Sequence, residues 1–307
     1  MRDAEVRSEL HAPYGQAAID LVVIGHVGIS VVSTHAGRRE SPGGSGYAVA
    51  ASAAALIGSR VGLVAQIGPD FDLLPLGRLK VNLDGVTRLH GASARLCVDQ
   101  FDDGSRTFSA DLGVAADVQL SSFPFSYLNA TYVHLGTAPP QQQLEWLRFL
   151  RGLRCPAQIS ADMFEHYVAA DPDACREVCD QVDLVFLNQQ EHDGLYGSTE
   201  AKTPRILKRA AEGATLIAGR LVHHVPAQQA RVVDPTGGGE ILAAVFLALR
   251  ADGRSAREAL EYAVRAATSC VEDHGVTGPR LAAELEAIRR KVGDESAGQQ
   301  FSSGIQS

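Results

Sequence analysis

Asp234-Pro-Thr-Gly-Gly-Gly-Glu240 stands directly ahead of an apolar, helix-forming run at 241–250. Three consecutive glycines weaken a helix start unless something must come close to the backbone. Gly237, Gly238 and Gly239 would leave bare N–H groups at the positive end of the helix dipole, an arrangement that holds anions. A glycine-rich turn that only brings helix and sheet together is the plainer reading. The run ends in a carboxylate. Lysine occurs only at 80, 202, 208 and 291, never after a glycine-rich loop, so this is not a Walker A loop. A carboxylate beside an anion hole suits a general base, which takes a proton from an alcohol while the amides hold charge building on a phosphoryl group.

Three polar positions close or follow apolar runs: Asp162, Asn188 with Glu191 a turn later, and Asp234. Each alone reads as a helix cap. At the carboxyl ends of parallel strands they would share one crevice, where open α/β sheets bind ligands. The runs 19–25, 60–68, 131–136, 157–162, 183–188 and 214–219 are continuous enough to be buried parallel strands. Helical patterns alternate with them. Asp171-Pro172 opens one helix, Ser255 with Glu258 caps another, and Leu281, Leu285, Ile288 and Val292 stripe the last. Residues 94–113 read as a β-hairpin around an Asp-Gly turn, either a flap over a site or an edge excursion.

The 307 residues are 45% hydrophobic and 21% charged, with a net charge of -8 that argues against nucleic acid or an anionic membrane as main partner. No basic-then-apolar leader and no membrane-length run stand out, which points to the cytoplasm. Five scattered cysteines give no disulfide framework. Cys175, Cys179 and His166 lack further zinc-spaced partners, so buried thiols are expected, and His223-His224 reads as a solvated turn. Residues 1–18 and 293–307 read as flexible tails around one domain, 19–292.

In the order and spacing of Gly43-Gly44, Asn188-Gln-Gln-Glu191 and Asp234-Pro-Thr-Gly-Gly-Gly-Glu240, the chain resembles the ribokinase (PfkB) family of carbohydrate kinases over about 19–292, and its inositol-kinase branch most. The resemblance implies a Rossmann-like three-layer α/β core with a mainly parallel sheet and a small β lid including 94–113. It also implies ATP as donor and Mg²⁺ bridging the phosphates. Carried over by position, Glu240 becomes the catalytic base and 237–239 the anion hole. Asn188 and Glu191 would organise Mg²⁺ through water. Asp234, Thr236 and Gly219 fall on the nucleotide side. Ser30, Gly43, Gly44 and Arg106 fall on the acceptor side, and Asp162 with His166 just after it, read from the strand end rather than from the resemblance, are acceptor-side candidates as well. A homodimer is the default expectation.

The chain also departs from the pattern. Glu240 replaces an aspartate, moving the base by about an ångström. Ser30 stands where a sugar-binding aspartate is usual, Ala48 where an asparagine is often found, and Ala218 where a threonine faces ATP. The segment after Gly219 is short and lacks a hairpin near the nucleotide. Ribose itself is therefore a poor acceptor, and a cyclitol or sugar, free or already phosphorylated, is expected, with a nucleoside next. A kinase-fold sensor that binds without turnover is the competing class. A nicotinamide dehydrogenase is excluded, because Val49 takes the place of the third glycine of its fingerprint.

Overall fold

The computed structural model describes residues 18–34, 37–101, 106–197 and 201–303, so most of the expected N-terminal tail lies outside the described residues. Among the described residues thirteen strands run in chain order as β1 (Leu21–Ile24), β2 (Gly28–Thr34), β3 (Gly37–Gly43), β4 (Val61–Ile67), β5 (Asn82–Arg88), β6 (Ala94–Gln100), β7 (Arg106–Asp111), β8 (Tyr132–Leu135), β9 (Gln158–Asp162), β10 (Leu184–Asn188), β11 (Arg205–Lys208), β12 (Ala214–Ala218) and β13 (Leu221–Val225). The helices are α1 (Ser45–Ile57), α2 (Leu74–Arg78), α3 (Pro140–Gly152), α4 (Glu165–Ala170), α5 (Pro172–Gln181), α6 (Gln189–Tyr196), α7 (Gly238–Ala251), α8 (Ala256–Val271) and α9 (Pro279–Ser303).

A nine-stranded sheet in the order β13-β12-β11-β10-β9-β8-β1-β4-β5 forms the middle layer. Its strands are parallel from β5 through β11. Side chains alternate across β1: Leu21 and Val23 join the apolar core that includes α1, α7, α8 and α9, whereas Val22 and Ile24 join the one that includes α3 and α5. That alternation makes three layers. Expected caps hold: the Asp171 side chain accepts from the Ala174 N–H, and the Ser255 side chain from the Glu258 N–H.

The run 214–219 was expected to be a parallel strand, but β12 pairs antiparallel with β11. Residues 209–213 are too few for a parallel crossover, which takes a dozen or more. The chain therefore doubles back, then turns again at Gly219-Arg220 into β13. A hairpin stands where none was expected, and His223 and His224 lie on its second strand, not in a turn. The helix α9 runs on to Ser303, through residues read as a tail from 293. Leu281, Leu285, Ile288 and Val292 are buried, as their spacing requires.

The lid is larger than a hairpin. A separate sheet in the order β3-β2-β6-β7 combines the expected β6–β7 pair with two strands from 28–43. The turn between β6 and β7 lies outside the described residues. Among the described residues no helix is long and apolar enough to cross a membrane.

Candidate active site

The parallel strands β9, β10 and β11 end side by side. Phe186 is level with Asp162, and Lys208 is level with Asn188. From the end of β11, Lys208 reaches across β10 to put its Nζ 2.6 Å from Asp162 Oδ1. Asp162 is buried and Lys208 nearly so. Burial opposes the ammonium charge, but Asp162, Glu191 and Glu240 outweigh it and hold Lys208 above its ordinary range.

Asn188 and Glu191 start α6 as a capping box. Asn188 Oδ1 accepts from the Glu191 N–H at 2.8 Å, and Glu191 Oε2 accepts from the Asn188 N–H at 2.7 Å. Asn188 Nδ2 donates to the other Glu191 oxygen at 2.9 Å. The box locks a buried carboxylate at the cleft wall. Burial pushes Glu191 up to about 7, with Lys208 drawing it down and Asp162 pushing it up again.

The glycine turn meets this cluster from the other side. Gly237 caps α7 in the left-handed region with φ +87°, and a Cβ there would lie 2.6 Å from Val276 Cγ1. On Gly238 a Cβ would lie 3.1 Å from Val271 Cγ1, and on Gly239 it would lie 3.2 Å from Lys208 Nζ. The glycines therefore do bring helix and neighbours close, and one of those neighbours is a cation. The Gly237 and Gly239 amides meet no protein acceptor among the described residues. Behind them α7 is buried at every position from Ile241 to Leu249, which fixes its N-terminus rigidly. Gly237→Ala is expected to lower stability by about 1–2 kcal/mol, the usual scale of backbone strain, as urea unfolding would read. Glu240, at the third helical position, is pushed above the ordinary carboxylate range by burial and by Asp162, while Lys208 opposes the shift.

These groups line one cleft of about 970 Å³ between the sheet edge and the lid. That is room for two substrates. One half holds the glycine turn, Ala210, Ala211, Val264, Ala267 and Thr268. The other half lies under the lid, whose cleft-lining residues include Val32, Leu96, Val98, Phe108 and Ala110. Phe108 of β7 and Phe164 after β9 close that half edge to face, with ring centroids 5.6 Å apart. Tyr167 lies beside them, and buried His26, held neutral by a pKa lowered to about 4 through burial, lies at the root of the lid.

Most of the expected site residues meet here: Ser30, Gly43, Gly44, Asp162, Asn188, Glu191, Asp234, Thr236, the three glycines and Glu240 all line the cleft. Gly43 and Gly44 answer first to the protein itself, since a Cβ would lie 2.6 Å from Ser30 Cβ in one case and 2.5 Å from the His26 carbonyl in the other. His166 is exposed on α4 and outside the cleft lining, where Phe164, Glu165 and Tyr167 take its place. Gly219 and Ala218 lie outside it too, because antiparallel β12 carries them to the opposite edge of the sheet. The side chain of Arg106 lies outside the described residues. Lys208 is the residue that sequence reading passed over. Its one signal was a basic residue closing a short apolar strand. Cys175 and Cys179 are buried thiols, pushed up to about 11 and about 12 by burial.

The geometry has relatives. A model described as pfkB family carbohydrate kinase matches residues 12–283. The cytidine kinase of Thermococcus kodakarensis is 33% identical over 273 residues, 84% of this chain and 98% of the relative. A Burkholderia thailandensis nucleoside kinase solved in complex with inosine superposes with a TM-score of 0.76 at 17% identity, covering 89% of this chain and 98% of that one. A Cryptococcus neoformans ribokinase solved with ADP gives 0.73 at 21% identity, covering 88% and 99%.

Proposed function

This chain belongs to the pfkB family of carbohydrate kinases, and from that premise we propose that it transfers the terminal phosphoryl group of ATP to a hydroxyl of a nucleoside. The observation that carries the acceptor class is the Phe108–Phe164 pair beneath an apolar lid face. A nucleobase has a flat face to lay against aromatic edges and aliphatic side chains. A cyclitol, the acceptor the sequence pattern favoured, has hydroxyls around its whole rim and gains little there. The cytidine kinase likeness supports the same choice.

In this reading Glu240 accepts the proton of the attacking hydroxyl. The Gly237 and Gly239 amides and Lys208 hold the negative charge of the phosphoryl group in flight. Asp162 keeps Lys208 placed and charged. The donor half suits ATP: among the described residues the Gly237 and Gly239 amides meet no acceptor, and Ala210, Ala211, Val264 and Ala267 offer an apolar wall for the base. Both Glu191 oxygens are already held by Asn188, so Asn188, Glu191 and Glu165 would reach Mg²⁺ through water. When bound it would offset phosphate charge.

The test is Mg-ATP-dependent ADP release against cytidine, uridine, adenosine, inosine, ribose, myo-inositol and an inositol phosphate, with mass analysis of each product. Nucleoside-dependent turnover with one phosphate added supports the assignment. Turnover with the cyclitol alone overturns it. Phe108→Ala is expected to raise the nucleoside KM about tenfold, the scale of one lost aromatic contact, with kcat less affected.

A further inference from the structure

One residue spans the cleft. Arg39 sits on lid strand β3, opposite Val32 of β2, yet its guanidinium points at the donor side. Its Nη2 lies 3.8 Å from Asp234 Oδ2 and donates to the His274 carbonyl at 3.4 Å. Asp234 is buried, its other oxygen accepting from the Thr236 N–H at 3.0 Å. The carboxylate thus shapes the turn that leads into Gly237, while His274 belongs to the loop that brings Val276 against that glycine. Arg39, Asp234, Gly237 and His274 all line the cleft.

The two contacts are slack. An ion pair of 3.8 Å with an arginine side chain 39% exposed holds the lid only weakly. An anion gathered by the glycine amides changes that, because the guanidinium then faces two negative groups at once, the anion and Asp234. We propose that Arg39 is the positioning residue through which occupancy of the phosphate turn is transmitted to the lid. Nucleotide on the donor side draws β3, and with it the lid over the acceptor. By reciprocity, an acceptor that closes the lid tightens the hold on nucleotide.

This rests on nucleotide occupying the donor half and not on which acceptor is used, so it can be tested with Mg-ADP alone. Hydrogen exchange of the β2 and β3 amides would be followed with and without Mg-ADP in wild type, Arg39→Ala and Arg39→Lys. Calorimetry would set each protein to equal saturation. Expected is slowing of lid exchange by several-fold in the wild type, its loss in Arg39→Ala, and at least partial return in Arg39→Lys, with all three melting within a few degrees of one another. Undiminished protection of the lid in Arg39→Ala, or no protection in the wild type, would overturn the proposal. Failure of the nucleoside panel would leave these outcomes as they stand, since no acceptor enters them.

Discussion

Replacing Glu240 by glutamine is expected to lower kcat about a thousandfold, the usual worth of a general base, while the melting temperature holds or rises. The amide keeps the shape of the side chain and cannot accept the proton. Stability follows from the pKa. Burial and Asp162 raise Glu240 above its ordinary value of 4.5, so folding disfavours its ionised form, and the protein carries that penalty above the raised pKa and sheds it below. A neutral amide removes the penalty at neutral pH. The same shift sets the acid limb of wild-type kcat/KM above the ordinary glutamate range, with activity lost as pH falls through it. Acceptor-dependent ADP release from pH 4 to pH 9, with thermal unfolding of both proteins, checks each part. A variant that keeps a tenth of the wild-type rate would remove Glu240 from the role of base.

Lys208→Met should be the more damaging change to the molecule as a whole. It strands Asp162 beside Glu191 and Glu240 with no cation among them, and removing one partner of a buried ion pair costs about 3 kcal/mol or more. Turnover should fall by about a thousandfold as well, since a preorganised charge beside the phosphoryl group is lost. Lys208 lowers the pKa of both Glu191 and Glu240, so without it both rise further and the acid limb moves to higher pH. Because protonation relieves the stranded charge, the loss of stability should be larger at pH 8 than at pH 5. Urea unfolding at the two values measures it. Equal losses would mean that the lysine acts by packing alone.

The middle of the fold could be read from the chain because burial on both faces leaves strands continuously apolar, as in 60–68 and 131–136. The lid half from 28–43 could not. Its Gly37-Arg-Arg-Glu-Ser-Pro-Gly43 strand is partly exposed and charged, with no alternation to betray it. The chemistry divides the same way. Glycines before a helix announce themselves locally, whereas Lys208 reaches the turn only through the pairing of β10 with β11. Gly219 misled for a related reason. A glycine ending an apolar strand marks the ligand edge only if that strand runs parallel to its neighbours, and the short 209–213 connection reverses β12. The segment that lines the cleft is that connection itself, through Ala210, Ala211 and Gly213.

The reciprocal hydrogen bonds of Asn188 and Glu191 have a consequence for how such a protein ages within a lineage. One pair of side chains both starts α6 and presents a carboxylate to the cleft. Descendants released from phosphoryl transfer would still be held to both residues, because a helix that loses its cap loses stability. Lys208 is held in the same way, by the buried carboxylates it neutralises, whereas Glu240 has no such second duty, since burial opposes its charge. Drift would therefore erase Glu240 first. In any descendant, persistence of the Asn-x-x-Glu pair and of the lysine records the fold, and persistence of Glu240 records the chemistry.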